Sequence, residues 1–118
     1  MVIPCYNYAR FVAMAIDSVI RQDYSPIEVI VVDDGSTDNT RDVVMAYGER
    51  VRYLHKVNAG LSAARNTGIA AAQYPYIAFL DADDEWLPNM LSRIMDVFAH
   101  LPEEFGLVAC NNRRMDNA

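Results

Sequence analysis

Aspartates follow an apolar run near residue 80, and their spacing suggests a cation site. The stretch YIAFLDADDEW ends its apolar part at Leu80 and then holds Asp81, Asp83 and Asp84. If the backbone stays extended there, Asp81 and Asp83 point to the same side, with the small Ala82 between them. Mg²⁺ and Mn²⁺ favour one or two carboxylates and complete their shells with water and phosphates. The pattern predicts a divalent-metal site, and the alternative is a solvated turn that caps the next helix.

A second acidic group lies in the stretch VVDDGSTDNT. Gly35 is expected to turn the chain, and Ser36 or its polar neighbours could cap the following helix. That accounts for the glycine and the hydroxyls but not for two aspartates at a strand end. Asp33 and Asp34 should point to opposite sides and have different roles, because successive strand residues alternate. A carboxylate there can accept a hydrogen bond from a base N–H or a ribose hydroxyl, and Tyr6 could stack on a base.

The elements that must position these groups alternate between strand and helix. IEVIVVDD is nearly continuous in β-branched residues, which is typical of a parallel strand buried on both faces. Five strands separated by four helices predict a three-layer α/β/α fold with a mostly parallel central sheet. The predicted strands are MVIP, IEVIVVDD, VRYLHK, YIAFL and FGLVACN, and the predicted helices are FVAMAIDSVIRQ, RDVVMAY, LSAARNTGIAAAQ and NMLSRIMDVFAHL. The first helix should bury Val12, Ala15, Ile16, Val19 and Ile20, and the last should bury Leu91, Ile94, Met95 and Phe98.

Ligands of such sheets collect outside the carboxyl ends of the strands. Polar residues follow three of the predicted strands: Tyr6 and Asn7, then Asp33 to Ser36, then Asp81 to Asp83. We therefore expect these loops to converge on one site.

Composition excludes several classes of protein. The chain has 118 residues and a net charge of −6, with one lysine, which argues for a single domain and against a nucleic-acid binder. No apolar run reaches the roughly 18 residues that span a bilayer, and no signal-peptide pattern is present, so a cytoplasmic location is expected. Cys5 and Cys110 suit a reducing compartment as inert thiols. His55 and His100 have no ligand-like spacing around them.

The motifs IPCYN, SVIRQDYSPIEVIVVDDGSTDNT, NAGLSAARNTGIAAA and YIAFLDADDEWLP occur in an order and spacing that resemble the inverting family 2 glycosyltransferases of the GT-A fold. The resemblance implies a Rossmann-like domain over residues 1–118 that binds a nucleotide-diphospho-sugar. It also implies divalent-metal-dependent transfer of the sugar to an acceptor hydroxyl with inversion. A UDP-sugar is the expected donor, Mn²⁺ or Mg²⁺ the cofactor, and cell-envelope polysaccharide synthesis the expected setting.

The resemblance also implies roles for individual residues. Tyr6 and Asp34 would hold the base, Asp81 would lie near the ribose and metal, and Asp83 would bind the metal directly. Arg65 could contact a phosphate or form a salt bridge to a strand-end aspartate. The nucleotide-sugar-binding set is Pro4, Tyr6, Asn7, Asp34, Gly35, Ser36, Arg65, Asp81 and Ala82, and the metal set is Asp81 and Asp83.

The chain departs from this family in its short first strand and in its catalytic base. The catalytic base of these enzymes is an aspartate in an acceptor-binding half, so the base is expected beyond Ala118, and Asp116 in the polar tail is not nominated. The chain is then expected to be the nucleotide-binding half of a larger enzyme. The missing half would bind a saccharide or lipid-linked acceptor and could attach to the cytoplasmic face of a membrane.

Other protein classes fit less well. A phospho-accepting receiver domain has its acidic pair after the first strand and a lysine late in the chain, whereas here the pair follows the second strand and the only lysine is Lys56. A haloacid dehalogenase also needs a downstream lysine. The alternative that stays open is a non-catalytic nucleotide-sugar-binding or interaction module of the same fold.

Overall fold

A parallel sheet forms the centre of the protein. The computed structural model describes residues 1–111. In the register of the sheet, Cys5 pairs with Asp33 and Asp33 pairs with His55, so the strands end side by side. The first two strands are fully buried, and the third, at the edge, is partly exposed. The strands lie in the order β1 (Val2–Cys5), β2 (Ile30–Asp33) and β3 (Arg52–His55).

Helices cover both faces of the sheet. The first two helices pack on one face and the third packs on the other. This arrangement confirms the predicted three-layer α/β/α fold. The helices are α1 (Val12–Ile20), α2 (Thr40–Met45), α3 (Leu61–Ala71) and α4 (Met90–His100), and a 3₁₀ turn spans Gly48–Arg50.

The core is divided by the sheet because successive strand residues face opposite sides. Ile3 and Val31 face α1 and α2, whereas Val2, Ile30 and Val32 face α3. Burial of each such side chain stabilises the fold by roughly 1.5–3 kcal/mol. The α1 residues that pack into the larger cluster are Val12, Ala15, Ile16 and Val19. Ile20, also predicted on that face, is the last residue of the helix and remains 37% exposed.

Two of the predicted strands are wrong. YIAFL forms only a single parallel bridge, between Phe79 and Val2. In this bridge the Val2 amide donates to the Ala78 carbonyl, and the Leu80 amide donates to the Val2 carbonyl. FGLVACN is irregular over residues 105–111. A strand needs backbone partners, and within residues 1–111 the first segment borders only β1 while the second borders none of the strands. Apolar composition indicates that a segment could pair but not whether a neighbour is present.

Helix α4 lies at the margin of the domain. Of its predicted apolar stripe only Leu91 is buried, and the ring of Phe98 packs at a tilt against that of Tyr76, with ring centroids 5.6 Å apart. Gln22, just after α1, holds the start of α4: its Nε2 donates to the Leu87 carbonyl over 2.8 Å, and its Oε1 accepts from the Leu91 amide over 2.9 Å. None of the helices within residues 1–111 has the length and apolar content to cross a bilayer.

Candidate functional site

A cavity of about 350 Å³ opens where the first two strands end. Its walls come from the end of β1 and its loop, the end of β2, the start of α3, and the acidic loop after the Phe79 bridge. The predicted convergence of the strand-end loops is therefore observed. The lining residues are Pro4, Cys5, Tyr6, Tyr8, Asp34, Leu61, Ala64, Asp81, Ala82 and Asp83.

Asp34 is the most heavily bonded group of this cavity. It is 3% exposed and accepts hydrogen bonds from Lys56 Nζ at 2.6 Å, from the Gly60 amide at 2.7 Å and from the Ala59 amide at 3.0 Å. Burial by itself would raise the pKa of Asp34, but the Lys56 side chain and the two amides outweigh it and lower the pKa below its ordinary value. Asp34 is thus a charged acceptor at neutral pH.

Asp33 has a different role, as the alternation along the strand predicted. Its carboxylate accepts from the Tyr53 hydroxyl at 2.5 Å and from the Ser36 amide at 2.8 Å. Burial and the hydrogen bond to Asp33 raise the pKa of Tyr53. Asp33 therefore joins β2 to β3 and to the loop that follows β2, and it is not among the residues that line the cavity.

Three residues predicted to bind the nucleotide join two loops instead of lining the cavity. Asn7 has a positive φ of 56°, its amide donates to Ser36 Oγ at 2.8 Å, and its Oδ1 accepts from the Thr37 amide at 2.7 Å. Gly35 has a φ of 82°, and a Cβ at this position would lie 2.9 Å from the Asn58 backbone nitrogen, so glycine is required there. A ligand role for Asn7, Gly35 and Ser36 stays a prediction, and their observed role is to position the loops.

The residues on either side of Asn7 both line the cavity. Tyr6 is 45% exposed, so its ring is available to a ligand, and Tyr8 is 37% exposed. Sequence reasoning missed Tyr8, although its place two residues after Tyr6 in a strand-end loop was a usable signal. It also missed Leu61 and Ala64, which depend on how α3 packs. Burial raises the pKa of Cys5 to about 11, which fits the predicted inert thiol.

Arg65 forms the salt bridge that the sequence left as one of two possibilities. Its Nη2 lies 2.8 Å from Asp81 Oδ1, and its guanidinium carbon lies 5.8 Å from the centroid of the Phe79 ring. Its Nε is buried and has no hydrogen-bond partner among the described residues. The pair links α3 to the acidic loop and places a positive charge beside the cavity carboxylates.

The acidic loop provides two carboxylates to the cavity. Asp81 and Asp83 line it, whereas Asp84 lies beyond a turn in which its amide donates to the Asp81 carbonyl at 3.0 Å. Burial and the negative charges of Asp83 and Asp81 raise the pKa of Asp84. No group of three potential metal ligands occurs within the described residues. Two carboxylates fit Mg²⁺ or Mn²⁺ when a substrate diphosphate and water supply the other ligands.

The fold and the cavity define a Rossmann-like α/β protein with a cavity at the carboxyl ends of parallel strands, which is where such folds usually bind their ligands. The chain belongs to the family Glycosyl transferase family 2, which matches residues 1–117. It is 47% identical over 102 residues to an uncharacterised glycosyltransferase of Nostoc sp., an alignment that covers 83% of this chain and 32% of the relative. The chain spans between 15% and 36% of the length of the curated relatives it matches.

Solved structures agree with this assignment. S. aureus TarS 1-349 in complex with UDP-GlcNAc has a TM-score of 0.77 and 27% identity, covering 83% of this chain and 30% of that chain. The mannosyltransferase PcManGT from Pyrobaculum calidifontis, in complex with GDP-Man and Mn²⁺, has a TM-score of 0.67 and 30% identity, covering 72% and 27%. The predicted family and GT-A-like fold are therefore confirmed.

Proposed function

We propose that residues 1–118 form a single domain that binds a nucleotide-diphospho-sugar, and that the protein transfers the sugar to an acceptor hydroxyl with inversion. One observation supports this above all: one cavity is lined by the buried Asp34, which is paired with Lys56, and by the more open pair Asp81 and Asp83. A buried hydrogen-bond acceptor is suited to binding a nucleobase. An open pair of carboxylates is suited to binding a divalent cation together with a diphosphate.

The base subsite is proposed at Asp34 and Tyr6. The carboxylate of Asp34 accepts the ring N–H of uracil while the exposed ring of Tyr6 stacks on its face. Guanine offers a similar ring N–H, and the two solved relatives hold UDP-GlcNAc and GDP-Man. UDP is the proposed preference because uracil can place its single ring N–H against Asp34 while its face stacks on Tyr6, and both residues line the cavity.

The diphosphate subsite is proposed at the acidic loop. Asp81 and Asp83 would hold Mn²⁺ or Mg²⁺, and Arg65 keeps Asp81 in place through its 2.8 Å contact. The cation, when bound, neutralises the charge that develops on the departing diphosphate. Pro4 and Ala82 also line the cavity and contribute apolar wall to it.

A catalytic base is not assigned among the described cavity residues. Asp34 is hydrogen-bonded to Lys56 and two amides and is assigned to the nucleobase, and Asp81 and Asp83 are assigned to the metal. We therefore place the base, and the site for a saccharide or lipid-linked acceptor, in a part of the protein outside residues 1–118. The proposed location is the cytoplasm or the cytoplasmic face of a membrane.

Calorimetry tests the proposed function. We expect UDP and UDP-GlcNAc to bind in the presence of Mn²⁺ and to bind at least tenfold more weakly in EDTA. A loss of affinity of this size corresponds to the loss of a charge-assisted contact. GDP should bind less tightly than UDP. The absence of nucleotide binding in Mn²⁺ would contradict the proposal. Binding without sugar transfer by a longer form that includes the acceptor half would instead favour the non-catalytic module.

A further inference from the structure

We propose that Lys56 is a positioning residue that makes the base subsite select nucleobases with a ring N–H donor. The inference rests on the proposed function, because it concerns the same cavity. Lys56 is the only lysine of the chain and lies one residue after β3. It is not among the residues that line the cavity, so it acts through Asp34.

Lys56 is held in place from several directions. Its Nζ lies 2.6 Å from Asp34 Oδ1 and 2.7 Å from the Val57 carbonyl oxygen. Its backbone amide donates to the Asp33 carbonyl at 3.0 Å, which continues the pairing of β2 with β3. The Lys56 side chain is 22% exposed and that of Asp34 is 5% exposed. A charge pair this sheltered from water has a well-defined geometry.

The bonds to Asp34 leave little acceptor capacity for a ligand. A carboxylate has about four lone-pair positions. Lys56 Nζ, the Ala59 amide and the Gly60 amide use most of them, and all three are donors. Because Asp34 lines the cavity and its bonded partners are all donors, any capacity that it offers to a ligand is that of an acceptor. The ligand must therefore supply the hydrogen-bond donor.

This constraint discriminates between two bases of equal size. Uracil presents a ring N–H at position N3, whereas cytosine presents an unprotonated nitrogen there that would face the lone pairs of Asp34. Without the Lys56 ammonium, the buried carboxylate would lack its charged partner and would accept a proton more readily. A protonated Asp34 could donate to cytosine, so the preference for uracil should shrink. The other ionisable groups that line the cavity are Cys5, Tyr6, Tyr8, Asp81 and Asp83.

The test compares UDP with CDP by calorimetry in Mn²⁺. The wild type should bind UDP about tenfold or more tightly than CDP, since an unmatched buried polar group costs on the order of 1–3 kcal/mol. Lys56→Met should reduce that ratio about tenfold, because a hydrogen bond between charged groups is lost. Lys56→Arg keeps the charge and should restore the ratio. Arg52→Met is the matched control: Arg52 is the first residue of β3, four positions before Lys56, and it pairs with Glu28 at 3.4 Å, away from the cavity.

The outcomes separate the inference from the proposed function. If the wild type binds neither nucleotide, the proposed function fails. If it binds UDP but shows no preference over CDP, or keeps the same ratio in Lys56→Met, the role of Lys56 is wrong and the function stands. If circular dichroism shows that Lys56→Met does not fold, Lys56→Gln keeps a donor without the charge, and an unchanged ratio in that variant also overturns the inference.

Discussion

The guanidinium of Arg65 lies 2.8 Å from the carboxylate of Asp81 and so connects helix α3 to the loop that carries the open carboxylates. Both side chains are more than a third exposed, at 36% and 47%. Exposed ion pairs contribute only about 0.2–1 kcal/mol to folding. The pair is therefore better suited to orienting Asp81 than to stabilising the domain.

Arg65→Met should weaken the binding of UDP more than that of uridine. The substitution releases Asp81 and removes the positive charge beside the diphosphate subsite, while Asp34 and Tyr6 are unaffected. We expect about a tenfold loss for UDP, the scale of one charge-assisted contact. Calorimetry with both ligands in Mn²⁺ measures the difference, with Arg52→Met as the control. An equal loss for uridine would mean that Arg65 supports the whole cavity.

Asp83→Asn should lower the affinity for Mn²⁺ and UDP together, because the cavity would lose one of its two open carboxylates. Asp84→Asn is the matched control. It removes the same charge one residue further on, at a side chain that does not line the cavity. We expect at least a tenfold effect for Asp83 and a smaller, purely electrostatic one for Asp84. The paramagnetic broadening of ligand NMR signals by Mn²⁺ provides the measurement. Equal effects of the two variants would remove Asp83 from the metal site.

Substitutions of Asn7 should separate its backbone conformation from its side chain. In Asn7→Gly, glycine adopts the φ of 56° without strain, but the Oδ1 atom that accepts from the Thr37 amide is lost. We therefore expect the free energy of unfolding to fall by about 1 kcal/mol. Asn7→Ala loses the acceptor and strains the backbone, which adds about 1–2 kcal/mol. Denaturant titration measures both. Equal stability of the two variants would show that the left-handed conformation is not retained in solution.

Asp34 should make the stability of the domain depend on pH. Its pKa is lowered in the folded state, so its contribution is complete above the unfolded pKa near 3.9 and is lost as the pH falls through the folded value. The difference in unfolding free energy between wild type and Asp34→Asn should be large at about pH 7 and shrink at about pH 3. Denaturant titrations at both pH values test this. The exposed Glu103→Gln serves as the control, and a difference that does not change with pH would contradict the prediction.

Gly68→Ala should destabilise the domain because α3 crosses β1 closely at this point. A Cβ on Gly68 would lie 2.3 Å from Val2 Cγ1, a contact that the structure cannot hold. Overpacking of this kind costs roughly 1–3 kcal/mol, more than the helix propensity that alanine adds. Thermal unfolding should show a lower midpoint, and the cost should fall in a Val2→Ala background. Gly106→Ala, where the Cβ meets nothing within 4 Å, is the control.

Local patterns were sufficient to predict the centre of the fold and the place of the cavity. The run IVVD has the composition of a strand buried on both faces, and it is the central strand β2. Asp34, Asp81 and Asp83 follow apolar runs, so their convergence follows from the rule that parallel strands end at one edge. These inferences required only the identities of residues that are adjacent in the sequence.

Features that depend on neighbours in space could not be predicted. The partner of Asp34 is Lys56, which is visible only once β2 and β3 lie side by side in a known register. Leu61 enters the cavity because of how α3 crosses the sheet. Asn7 and Ser36 resemble ligand contacts by composition, yet they bond to each other. The same limit explains the strand wrongly predicted at YIAFL.

Because Phe79 pairs with Val2 through a single bridge, the two sides of the cavity differ in how they are attached to the sheet. Asp34 extends from the central strand of the sheet, whereas the loop with Asp81 and Asp83 is joined to β1 through two backbone hydrogen bonds at Val2. A ligand that contacts both sides would act as a cross-link between the central strand of the sheet and the loop at its edge. The free energy of that cross-link would then add to the stability of the domain, and the occupied protein would resist unfolding more strongly than the empty one.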